Sequence, residues 1–162
     1  MKSAVFAVGL ALIVPSLAQS QDQDEWIRLG TRLHGGFGVL IPIGIRIGLD
    51  AQERLKAEPC GLTVTYYTGE KAPCPCIADG VMIATRASPG QGTLHVAAEK
   101  APAGSYAVIV IRDRQSGNAI KYTVTDEWAH KIMEWNRTLD PAGRYEAAMA
   151  AQCLFQVAPE SN

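Results

Sequence analysis

The chain has 162 residues, a formal net charge of −1 and only 19% charged residues. That balance supplies no basic face for a nucleic acid and no polybasic patch for a membrane surface. Nearly half of the residues are hydrophobic, which excludes a disordered chain and allows one sizeable core.

The N-terminus reads as an export signal. Met1-Lys2 is a short positive start, Ala4 through Val14 is an apolar run broken at Pro15, and Ser16-Leu17-Ala18 places small residues where a signal peptidase reads. The run is shorter than the roughly 20 residues a membrane span needs. Residues 1 to about 20 are therefore expected to be removed. That leaves one domain, 21–162, in the periplasm or secreted, with no membrane span in the mature chain.

From Asp22 to Leu33, the spacing of Trp26, Leu29 and Leu33 predicts an amphipathic helix. Asp24 is a start signal and His34-Gly35-Gly36 a stop. Residues 38–57 carry two signals. Ile41, Ile43, Ile45, Ile47 and Leu49 alternate with Pro42, Gly44, Arg46 and Gly48, the period of a strand. Yet Ile41, Ile45 and Leu49 are also spaced by four, and Ala51 to Lys56 favours helix, with Gly44 and Gly48 on one close-packing face. On the pattern alone both stay open.

Leu62 to Thr68 predicts a strand, Lys71 to Cys76 a loop, and Asp79 to Arg86 a short helix capped by Asp79. Ser88 to Gly92 is a glycine loop, and Thr93 to Ala97 a strand. Tyr106 to Arg112 and Ala119 to Thr125 form a hairpin about the turn at 115–118. Asp126 is expected to cap a helix to about Thr138, with Trp128, Ile132 and Trp135 on one face. Pro141 opens a last helix through Ala151. This order predicts an α+β fold, with a mixed or antiparallel sheet packed against helices.

Three stretches could carry chemistry. In His34-Gly35-Gly36-Phe37-Gly38, the glycines let backbone amides approach a ligand, and a helix starting at Gly38 would favour an anion. His34 could act there as acid, base or metal ligand. The plainer reading is a joint between two helices. Cys74, Cys76 and Asp79 could ligate zinc or another divalent metal. The loop from Ser88 to Thr93, with Gly90 and Gly92, could cradle an anion but lacks the lysine and spacing of a P-loop. His95 and His130 read as structural or solvent-facing.

Four cysteines in an exported chain suggest disulfides. Four cysteines allow three pairings, and the sequence does not choose among them. A bond between Cys74 and Cys76, which flank a single proline, would be strained. A Cys60–Cys153 bridge is the plain expectation, with Cys74 and Cys76 paired elsewhere or free. The competing reading gives Cys74-Pro75-Cys76 metal or redox chemistry.

Taken in order, these stretches resemble the formylmethanofuran dehydrogenase E-subunit family. The resemblance starts at Leu33-His34-Gly35-Gly36-Phe37-Gly38 and continues through Gly44-Ile45-Arg46-Ile47-Gly48-Leu49. It resumes at Cys76-Ile77-Ala78-Asp79-Gly80-Val81-Met82 and at Thr85 through Gly92-Thr93-Leu94, and extends to Cys153-Leu154-Phe155. It implies a mixed-sheet α+β fold related to the catalytic domain of glyceraldehyde-phosphate dehydrogenase, a helix over 38–57, and a homodimer. It also implies that the His34 turn and the Cys76–Asp79 segment meet in space. Family members typically carry a histidine where Gly36 stands, a cysteine at Gly38, a proline at Val39, a cysteine at Ala87 and a lysine at Gln91. The implied metal site, with His34, Cys76 and Asp79 kept and Cys74 extra, is therefore divergent. The oxidoreductase activity in the family's name belongs to a multi-subunit molybdenum or tungsten enzyme and is not expected from this chain alone.

The combined expectation is an exported accessory or ligand-binding domain. It would take a metal ion or small anion between His34–Gly38 and Cys76–Asp79. The alternatives are a small enzyme using His34 with Asp79, or Cys76 as nucleophile, and a disulfide-stabilised interaction module.

Overall fold

The segment 38–57, open to two readings in the sequence, forms a helix over Leu40–Leu55 that stands at the centre of the fold. In the computed structural model, which describes residues 17–160, helix α2 spans Leu40–Leu55. The expected signal segment thus lies outside the described residues, apart from Leu17 to Ser20, which open the first helix. The apolar residues of α2 alternate because the helix is covered on two sides. Ile43, Ile47 and Ala51 join Val64, Tyr66, Ile109 and Tyr122 in a core against the sheet. Ile41 and Ile45 join Phe37 and Ala84 in a second core beneath the outer helices. From Leu40 to Gly48 the helix is buried on nearly every side and is apolar to match, so a period of two coexists with a period of four, whereas Leu49, the last of the alternating residues, is exposed. Pro42 fits in the first turn, where its missing N–H costs nothing.

Among the described residues the sheet has five strands in the order β2-β1-β3-β4-β5. They are β1 (Leu62–Thr68), β2 (Leu94–Val96), β3 (Ser105–Asp113), β4 (Ala119–Thr125) and β5 (Gln156–Glu160). Among the described residues only β1 and β2 pair in parallel; the other pairs are antiparallel, so the sheet is mixed and the fold is α+β. Helices α1 (Leu17–His34), α3 (Cys76–Thr85), α4 (Asp126–Met133), α5 (Trp135–Thr138) and α6 (Pro141–Ala150) complete it. Among the described residues no helix is long and apolar enough to cross a membrane.

Glycines let α2 and α3 touch backbone to backbone. A Cβ on Gly44 would lie 2.1 Å from the Ile77 carbonyl oxygen, and one on Gly80 would lie 2.1 Å from that of Ile41. No side chain fits at either position. This contact holds the N-terminal half of α3 against α2.

Several expectations are corrected. Helix α1 starts at Leu17, so Asp24 lies inside it. Helix α3 starts at Cys76, so Asp79 sits in its first turn and does not cap it. Thr125, not Asp126, caps α4: its hydroxyl accepts from the Trp128 N–H. The helix expected to reach Thr138 is broken after Met133 into α4 and α5. Strand β5 had no forecast; it contains Pro159 and lies at the sheet edge, where proline is tolerated.

The Cys60–Cys153 bridge is absent, and both residues are exposed and unpaired. Cys60 precedes β1 and Cys153 precedes β5, strands three places apart, or about 14 Å. Those two strands also run in opposite directions, so their starts lie at opposite ends of the sheet. Instead, the Sγ atoms of Cys74 and Cys76 are in contact.

Candidate functional site

Helix α1 ends where Gly35 takes a φ of 84° and its N–H bonds back to the Thr31 carbonyl at 3.0 Å. A left-handed glycine is a common way to stop a helix. His34 is thereby the last residue of α1. The chain then folds back under the helix because Gly30 leaves room: a Cβ there would meet the Phe37 ring at 2.6 Å. This return brings His34 to the first turn of α3.

His34 Nδ1 lies 2.7 Å from Asp79 Oδ2, a contact between residues 45 apart in sequence. An ionised carboxylate can only accept, so Nδ1 carries the hydrogen. In the neutral imidazole Nε2 then holds a lone pair, and it makes no hydrogen bond among the described residues. The two side chains are 32% and 34% exposed, open enough to meet a ligand from solvent.

Cys76 is the first residue of α3, one turn before Asp79, and is 8% exposed. Cys74 is half-buried in the preceding loop, and its Cα lies 5.3 Å from that of Cys76, within the range in which disulfides occur.

The other expected contacts find partners within the chain. The Val39 N–H at the entry of α2 donates to Asn136 Oδ1 at 2.8 Å. Arg144 Nη1 donates to the Phe37 carbonyl at 3.0 Å. The expected anion seat at Gly38 is thus closed by the chain's own groups, while Gly35 and Gly36 face open space. In the loop of Gly90 and Gly92, the Gln91 N–H donates to Ser88 Oγ at 3.2 Å and the Gly92 N–H to the Pro89 carbonyl at 3.0 Å. That loop follows the far end of α3 from Asp79, and its glycines shape a turn. His95 Nε2 lies 3.0 Å from the Gly92 carbonyl oxygen.

A metal held by protein ligands alone would need at least three converging donors. Among the described residues no three His, Cys, Asp or Glu side chains converge in that way. His34 Nδ1 is engaged by Asp79, and the two sulfurs meet each other. As it stands, this donor set does not fit a resident metal ion.

Two further concave places lie elsewhere. A groove of about 680 Å³ runs between the end of α2 and β5, past Arg54, Asn118 and Val157. A smaller cavity of about 300 Å³ is lined by Lys71, Pro73, Tyr106, Asp126, His130 and Met133, among others. Lys71 Nζ reaches Asp126 Oδ2 at 3.0 Å, while Asp126 Oδ1 and the Tyr106 hydroxyl are buried without partners. Burial, with the Asp126 charge adding to it, holds the Tyr106 phenol above its ordinary range. Nothing in the sequence pointed here, because Tyr106 reads as a strand residue and Asp126 as a cap.

The model for FmdE, described as the molybdenum formylmethanofuran dehydrogenase operon family, matches residues 33–158. The chain belongs to the FmdE family. The match opens one residue before His34 and contains Cys76, Asp79 and every strand but the last two residues of β5. Most of α1 precedes it. No curated protein matches the chain. In this FmdE-family chain the helix is α2, Leu40–Leu55, the sheet is mixed, and His34 and Asp79 stand together.

Proposed function

We propose that this FmdE-family chain is an exported accessory domain that binds a small ligand at the His34–Asp79 pair. The observation that carries the reading is the 2.7 Å contact between them. A carboxylate on one ring nitrogen fixes the tautomer and ring orientation, so the other nitrogen is presented ready-made. A hydrated divalent cation suits that lone pair, with His34 as one ligand and the rest of its shell drawn from water or a partner molecule. A small anion suits the same atom once the imidazole is protonated. Export is supported by Met1-Lys2, the apolar run to Val14 and the Ser16-Leu17-Ala18 site.

Titration with zinc chloride, and separately with inorganic phosphate, tests the reading while the imidazole resonances are followed by NMR. The expected result is saturable movement of the His34 signals by one probe. That response should be lost in His34→Ala and weakened in Asp79→Asn. Binding that persists unchanged in both variants overturns it.

A second reading rests on the same contact. A histidine oriented by a carboxylate is also the arrangement of a general base. It would appear as turnover of a hydrolysable substrate that both substitutions reduce together.

A further inference from the structure

The Cys74–Cys76 pair does little as a staple. In the chain-entropy account, a cross-link stabilises by closing a loop, and the gain grows with loop length. Here the loop holds one intervening residue, Pro75. The long-range cross-link the sequence offered, Cys60 to Cys153, is not made. The sulfurs that do meet are those with the least to gain in stability.

Their surroundings suit chemistry instead. Cys76 begins α3, a helix of 10 residues. The unpaired amides and dipole at such an end stabilise a negative sulfur. The nearest acidic group along that turn is Asp79, and His34 already partners it at 2.7 Å. The two sulfurs differ in access: Cys74 is half-buried, whereas Cys76 is 8% exposed and sits in the sheet-side core. An incoming thiolate therefore reaches Cys74 first, and the sulfur it displaces is the one at the helix end.

We propose that Cys74-Pro75-Cys76 is a reversible thiol–disulfide exchange pair, in which Cys74 is the attacked sulfur and Cys76 the leaving thiolate. The partner is a dithiol. One of its thiolates attacks Cys74 Sγ, forming a mixed disulfide as the Cys74–Cys76 bond breaks and its electron pair leaves on Cys76 Sγ. The partner's second thiol then attacks its own sulfur in that mixed disulfide and releases Cys74. The partner ends as a disulfide, oxidised by two electrons, and its two protons reside on Cys74 and Cys76. The reverse direction reduces a partner disulfide. This activity is independent of ligand binding at His34, which takes no part in any step.

Thiol mapping of the purified protein tests the proposal. The folded protein is equilibrated in buffers of graded reduced-to-oxidised dithiothreitol, alkylated and mapped by peptide mass. Cys60 and Cys153 should be alkylated throughout. Cys74 and Cys76 should pass together from blocked to alkylated in one two-electron step. With Cys60 and Cys153 first replaced by serine, mixing each variant with the aromatic disulfide 5,5′-dithiobis(2-nitrobenzoate) then separates the roles. Cys76→Ser, which leaves Cys74 free, should form the mixed disulfide about tenfold faster than Cys74→Ser. Circular dichroism checks that both variants fold, and the titration of the unaltered chain needs neither. A pair reducible only after denaturation, or never oxidised in any buffer, overturns the proposal. Equal rates in two folded variants overturn the assignment of roles. A lost zinc or phosphate response in His34→Ala, with this transition intact, speaks only to the ligand reading.

Discussion

The Tyr122 hydroxyl donates to Asp50 Oδ2 at 2.8 Å, and the two ends of this bond stand in different surroundings. The tyrosine is fully buried on β4. Asp50 is partly open to water and also accepts from Arg54 Nε at 2.6 Å. Cutting the bond from either end therefore has unequal consequences. In Tyr122→Phe, Asp50 keeps Arg54 and water, so the loss should be about 1 kcal/mol or less. In Asp50→Ala, the Tyr122 hydroxyl is left unpaired inside the core, and the loss should be about 1–3 kcal/mol. Urea unfolding with equal slopes separates the two variants. Equal midpoints would show that the hydroxyl finds another partner.

At the scale of elements, the contact between α2 and α3 places the candidate site, and glycine makes it possible. A methyl group at Gly44 would meet backbone atoms on three sides, Ile77 O at 2.1 Å, Val81 N at 2.8 Å and Gly80 Cα at 2.9 Å. Backbone cannot swing aside as a side chain can, so Gly44→Ala should force the helices apart and cost about 2–3 kcal/mol. Gly90→Ala is the control: its nearest neighbour is Ser88 Oγ at 3.9 Å, and it should change stability by less than about 0.5 kcal/mol. Thermal unfolding of the two variants decides it, and matching transition temperatures would refute the close-contact account.

These elements also show what a sequence can and cannot carry. The β3–β4 hairpin and the stop at Gly35 were readable because alternation and turn residues are local signals. The spacing of Gly44 and Gly48 suggested a close-packing face, but only the family resemblance decided that residues 38–57 are helical. Two-sided burial had given α2 the period of a strand. Strand β5 was invisible, since Gln-Val-Ala-Pro-Glu neither alternates cleanly nor excludes a loop. At the site, His34 and Asp79 each stood out, yet their meeting depends on α1 turning back over Phe37 and on α3 lying against α2. Both are tertiary facts, and residue spacing held neither. The pairing of four cysteines was equally beyond local pattern, because strand order decides which ends are near.

Across the whole molecule, buried tyrosines should make the fold less stable as the solution turns alkaline. Burial pushes the phenols of Tyr66, Tyr106, Tyr122 and Tyr145 upward, and at Tyr122 the bond to Asp50 adds to it. In the unfolded chain each returns to an ordinary value of about 10. Below that pH both states keep their protons, and the stabilisation is complete. Above it the unfolded chain ionises while the folded one does not, so stability falls with rising pH until the folded phenols titrate. The slope approaches about 1.4 kcal/mol per pH unit for each tyrosine that stays neutral in the fold. Tyr66 isolates the effect, since its hydroxyl is buried with no hydrogen-bond partner. Tyr66→Phe removes an unsatisfied donor and one titrating group together. At about pH 8 the variant should be as stable as the parent or more so, because no bond is lost. Between about pH 10 and 11 its urea midpoint should fall less steeply. Parallel curves across that range would mean that the Tyr66 phenol ionises in the folded core as readily as in water.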